Sequence, residues 1–128
     1  MQLLIVIFLS FTLNISLNDP INDVAESVKT GNAKEVSKFF AGNIDLKIPD
    51  KEDVFSKSQA ELILKDFFSK NQIKSFTIVH KGTSKNGDLF AIGTYETITG
   101  KKFRTYFLFK KEETKFLIHQ LRFESQDE

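Results

Sequence analysis

The 128 residues include no cysteine and no tryptophan, one methionine, two prolines, two tyrosines and two histidines. Without cysteine there is no disulfide framework, no thiolate ligand or nucleophile, and no lipoprotein-type acylation site. A disulfide-free domain fits either redox compartment. A charge excess is lacking as well: 18 basic side chains face 17 acidic ones, so the basic surplus of a nucleic-acid binder is missing. Residues 19–53 carry 5 bases and 8 acids (net −3) and residues 54–128 carry 13 bases and 9 acids (net +4). Lysines on solvated strand edges account for that asymmetry. His80 and His119 stand apart, with no HExxH or EF-hand spacing around them, which leaves no metal site. There is no GxGxxG, no GxxxxGK[ST] and no GxSxG, so nucleotide phosphates lack their cradle and a serine nucleophile lacks its elbow. No cofactor and no metal are expected.

What the chain does have is phenylalanine. There are 14, of which 12 follow position 16, so the core is built largely from rings that supply apolar area without a polar tip to satisfy. Hydrophobic residues at 41% and charged residues at 27% suit one globular domain. The opening "MQLLIVIFLSFTLNIS" differs from the rest. It carries no charged side chain, and its apolar run from Leu3 to Leu13 is shorter than the roughly 20 residues that span a bilayer. It reads as a signal-peptide core. The expected division is a signal peptide over residues 1–17 and one domain over residues 18–128, exported to the periplasm or beyond and free of the membrane once the leader is removed. A first buried strand or an uncleaved membrane anchor are the alternatives. The acceptor pattern at Asn14 falls inside the leader and is taken as chance.

Beyond the leader, helices come first. In "NDPINDVAESVKTGN", Asp19 is a candidate N-cap, Pro20 opens the helix, and Ile21, Val24, Ala25 and Val28 repeat at helical spacing until Gly31. "AKEVSKFFAGN" predicts a second short helix with Val36, Phe39 and Phe40 inward, ended by Gly42. "IDLKIP" alternates as a half-buried strand stopped by Pro49, and "DKEDVFSKS" is expected to be a connection. Ser58 with Glu61 forms a capping-box pattern for a third helix, whose Ala60, Ile63, Leu64, Phe67 and Phe68 share a stripe. Strands are expected over Ile73 to Lys81, Asp88 to Thr97, Lys102 to Lys110 and Lys115 to Phe123. Asn86-Gly87 predicts a type I′ hairpin between the first two. Segregated helices ahead of a meander give an α+β class, with N-terminal helices packed on a curved antiparallel sheet of four main strands.

This order of elements resembles the nuclear transport factor 2-like superfamily, a cystatin-like α+β cone. Within it, "QAELILKDFFSKN", "HKG" and "GTYETITGKKFRTYFLF" are similar to an uncharacterised bacterial family of short exported proteins, and the resemblance covers residues 19–124. The resemblance implies the fold. The superfamily holds isomerases, dehydratases, hydrolases and many non-catalytic binding modules, so it implies no residue role.

The candidate pocket residues therefore come from the chain itself. Alternation places His80 with Phe76 and Ile78, and His119 with Leu117 and Leu121, each expected to be structural or a polar group of a pocket. Enzyme chemistry in a cone needs a base and an oxyanion donor, for which Asp66, Tyr95, Glu96 and Tyr106 are the available parts; Tyr95 and Glu96 point to opposite faces of their strand, so at most one of them enters the cavity. The lack of a matched pair points to a binding module for an unknown small molecule or protein, with an isomerase- or dehydratase-type enzyme as the alternative. Along "KKFRTYFLFK", Tyr106 and Leu108 lie on the face opposite Phe103, Phe107 and Phe109. Together with Ile118 they predict an apolar patch and a homodimer through the sheet.

Overall fold

The computed structural model describes residues 19–126; the expected leader lies outside the described residues. Helix α1 (Pro20–Lys29) begins as its sequence dictates, with the Asp19 side chain accepting from the Ile21 amide at 3.0 Å and Pro20 in the first turn. Ile21, Val24, Ala25 and Val28 are its buried stripe. Gly31, at φ +66°, then turns the chain into α2 (Ala33–Ser37). That helix is shorter than its sequence suggests: Phe40 and Gly42, expected inside it or at its end, belong to strand β1 (Phe40–Ile48). Phe40 reaches the core from the strand, at 1% exposure.

The segment expected to be a connection is strand β2 (Lys51–Ser56), paired antiparallel to β1 through the two-residue turn Pro49–Asp50. Its sequence hides it because its faces are nearly equally wet; Val54 is 62% exposed. Helix α3 (Lys57–Lys70) starts two residues earlier than the Ser58 pattern predicts. Ser56 caps it by accepting from the Gln59 amide at 3.3 Å, a serine-to-glutamine pair with the same three-residue spacing as Ser58 and Glu61, two residues upstream. Glu61 is thereby free to accept the buried Ser37 hydroxyl at 2.5 Å, tying α2 to α3.

The meander follows as β3 (Ile73–Thr83), β4 (Leu89–Thr97), β5 (Lys102–Glu112) and β6 (Lys115–Ser125). Among the described residues the sheet has six strands rather than four, in the order β2-β1-β6-β5-β4-β3, with β1 parallel to β6. The hairpin at Asn86-Gly87 forms, but not as a type I′ turn: Gly87 takes φ +87°, and Asn86 is not among the residues with positive φ. Gly87 donates to Ser84 and Ser84 to Asp88 across a longer loop. The inner face of the sheet meets the three helices over Phe76, Tyr95, Phe103, Phe107, Phe109, Ile118, Leu121 and Phe123, all at most 4% exposed.

Candidate functional site

The inside of the cone is filled with rings. Phe67 of α3 lies 4.5 Å from Phe123, 5.2 Å from Phe103 and 5.8 Å from Tyr95 between ring centres. Tyr95 also stacks on Phe68, and Phe76 meets Phe107 edge to face. The approach of Phe76 needs Gly93 beneath it, since a Cβ there would stand 2.6 Å from the ring and 3.0 Å from the Thr77 carbonyl. Tyr95 is fully buried, and its hydroxyl donates to the Asn71 carbonyl at 2.5 Å. Burial pushes its pKa well above the usual tyrosine value. The hydroxyl is thus a structural donor closing the C-terminal end of α3.

Asp66 does not join it. The Asp66 carboxylate is exposed on α3 and pairs with Lys70, one turn on, at 3.0 Å. Both line an open cleft of about 320 Å³ at the cone's end, walled by Asp50, Asn71 and Lys101 over Ile48, Phe67 and Phe103. Tyr106 lies on the opposite side of the sheet, paired with Ile92 and Arg122. Glu96 faces away from Tyr95, toward Ser75 and Lys74 of β3, so Asp66, Tyr95 and Tyr106 occupy three separate environments and Glu96 joins none of them in a shared cavity.

Both histidines are displaced by β-bulges. Ile78 pairs with Gly93 but His80 pairs with Ile92, so Val79 is an extra residue and every position after it changes face. His80 leaves the side of Phe76 and Ile78 for the outer face, where its exposed ring lies 5.5 Å from Phe90. Gly82 lets Phe90 lie down there, since a Cβ would come within 2.8 Å of the ring. On β6, Ile118 pairs with Phe109 and Gln120 with Leu108, leaving His119 as the extra residue. Leu117 then faces outward and Leu121 inward, so His119 cannot share a face with both. Its Nε2 reaches Glu112 at 3.2 Å without hydrogen-bond geometry. Ile118, expected in the outer patch, is fully buried inside.

The outer face carries instead a half-buried apolar block of Phe90, Ile92, Tyr106 and Leu108. Beside it is an open pocket of about 430 Å³ lined by Arg104, Tyr106, Gln120, Arg122 and Glu124. Arg122 donates to Glu52 at 2.5 Å, and Lys47 to Glu124 at 3.3 Å. Alternation along β5 reaches Tyr106, with Arg104 two residues before it on the same face, but Gln120, Arg122, Lys47 and Glu52 were missed. Even numbering on β6 would have placed Gln120 and Arg122 on that face. The pairing with β1 and β2 is a long-range fact that alternation does not contain.

Residues 21–124 match the family model described as "Domain of unknown function (DUF4783)". Among solved structures, a DUF4783 family protein from Bacteroides uniformis is 33% identical, with TM-score 0.77, over 84% of this chain and 97% of that one. Its counterpart from Bacteroides ovatus is 30% identical, with TM-score 0.76, over 83% and 94%. An NTF2-like protein of unknown function from Cytophaga hutchinsonii shares the fold at 15% identity and TM-score 0.59, over 84% and 88%. No curated protein matches the chain.

Proposed function

The chain belongs to the DUF4783 family, with a nuclear transport factor 2-like fold, and from that premise we propose an exported, non-catalytic binding module that holds a protein partner on the outer face of its sheet. The observation that carries this reading is where the rings went. The cone interior is occupied by Phe67, Phe68, Tyr95, Phe103 and Phe123, whereas the outer face keeps Phe90, Ile92, Tyr106 and Leu108 half-exposed beside two arginines. Tyrosine and arginine around an apolar centre are what protein interfaces favour. The isomerase-type alternative has less support, since Asp66, Tyr95 and Tyr106 do not converge on one cavity. Export rests on the uncharged run Leu3 to Leu13, and N-terminal sequencing of protein from the producing cell that began at Met1 would reject that half.

A photo-crosslinking residue placed at Ile92 in the full chain, expressed in its own host, tests the docking half. Protein adducts are expected from Ile92 and not from an identical probe at Leu62, which is exposed on α3. Adducts from Leu62 with none from Ile92 would overturn the reading. A second copy is one partner this face fits: Tyr106 with Leu108 and Ile92 with Phe90 form a two-by-two block that a two-fold axis across the strands lays on itself.

A further inference from the structure

Tyr106 and Arg122 sit directly across from one another on β5 and β6, with Arg104 opposite Glu124 and Leu108 opposite Gln120. Five polar side chains therefore converge on one pocket from two adjacent strands. Among the described residues, the guanidinium of Arg104, the hydroxyl of Tyr106 and the side-chain amide of Gln120 have no hydrogen-bond or ion-pair partner. Arg122 commits one terminal nitrogen to Glu52, and its Nε, shielded from solvent, is 3.9 Å from Glu124 without a hydrogen bond. Glu124 in turn is drawn to Lys47 at 3.3 Å. The pocket lining thus holds two cations (Arg104, Arg122) against one carboxylate (Glu124); Arg122 is paired with Glu52 outside the lining, and the lining cation without an ion pair is Arg104.

Resting on the docking reading above, we propose that this pocket takes a carboxylate of the docking protein, an aspartate, a glutamate or a chain terminus. One uncompensated guanidinium matches one negative charge. Its planar fork fits a carboxylate with two parallel hydrogen bonds, and Tyr106 and Gln120 supply further donors from the same side. A phosphate dianion fits less well, because Glu52 and Glu124 would leave its second charge unpaired. A free small anion would also leave Ile92, Phe90 and Leu108 uncovered, whereas an acidic residue flanked by apolar ones on a protein surface covers both. Asp45, opposite Gln120 on β1, is not part of the pocket lining.

Backbone amide shifts of the isotope-labelled chain, followed while capped Phe-Glu, capped Phe-Gln and inorganic phosphate are added in separate titrations, test the assignment. Saturable shifts are expected around Arg104, Tyr106, Gln120 and Arg122 with the glutamate peptide, about tenfold weaker binding with the glutamine one, and a similar loss in Arg104→Gln. Arg104 is exposed, so that variant folds, and Tyr106→Phe supplies a milder second variant. Equal binding of the two peptides, phosphate saturating the same amides at lower concentration than the glutamate peptide, or unchanged binding by Arg104→Gln would each overturn the proposal. Failure of this inference is separable from failure of the docking reading. Ile92 adducts that persist at full yield in the Arg104→Gln background, second-copy adducts included, retain docking and remove the carboxylate; no adducts from Ile92 removes docking itself.

Discussion

At the scale of single residues, burial fixes how Tyr95 titrates. Its ring is packed among Phe67, Phe68, Phe103 and Phe123, and its buried hydroxyl donates to the Asn71 carbonyl, so the folded state resists ionisation while the unfolded chain ionises near about pH 10. The folded pKa is raised above the unfolded one. Its contribution to stability is therefore full below about pH 10 and is lost as pH rises from there towards the folded value, by at most about 1.4 kcal/mol per pH unit. Tyr95→Phe should lower stability by about 1 kcal/mol at neutral pH through the lost hydrogen bond and flatten the alkaline decline. Urea midpoints measured between neutral and strongly alkaline pH check both, and an equally steep decline in the variant would contradict the assignment. The sequence named Tyr95 as a pocket group because a tyrosine on an alternating strand has two readings. Which one holds depends on Asn71, 24 positions away.

At the scale of elements, Asp19 ties α1 to the edge of the sheet. Its carboxylate accepts from the Ile21 amide and from Lys81 of β3 at 3.0 Å. Burial alone would raise its pKa, but the hydrogen bond from Lys81, the Ile21 and Asn22 amides and the lysine's charge together hold it below the usual carboxylate value. Asp19→Ala should cost about 1 kcal/mol as a lost N-cap. Asp19→Asn keeps the cap and removes only the attraction to Lys81, a few tenths of a kcal/mol at these partly exposed groups. Because the folded pKa is depressed, the aspartate's advantage is present above about pH 3.9 and disappears as pH falls through the folded value. Denaturation of the three proteins at neutral pH and near pH 3 measures this, and a difference between Asp19 and Asn that survives acid would count against it. Element boundaries were legible where a cap or a positive-φ glycine marks them, as at Asp19, Pro20 and Gly31. They were not legible at β2, which is a strand because β1 offers it an edge and not because of its own faces.

At the scale of the whole molecule, the outer face extends across the six described strands, and an interface of standard size takes roughly 20–30 residues per side. Self-association through it is expected at tens of micromolar, with sedimentation equilibrium returning the mass of two chains. Leu108→Lys should restore a single-chain mass without unfolding the subunit. A wild-type protein that sediments as one chain would limit this face to other partners. Because a second copy and an acidic peptide would cover the same block, the peptide should also shift that equilibrium towards the monomer.

Local periodicity and composition suffice for much of this protein. The stripe of α1, the inward run Ala60, Leu64, Phe67 and Phe68 of α3, and the alternation of β5 follow from 3.6- and 2-residue repeats, and 12 phenylalanines after position 16 foretell an aromatic core. The faces of His80 and His119 do not follow, because one extra residue in a strand reverses every side chain after it, and a bulge is set by the neighbouring strand's register. The same holds for the meeting of Arg104 with Arg122, Lys47 and Glu52. Those groups come from four strands, and only the closing of β1 onto β6 brings them to one place.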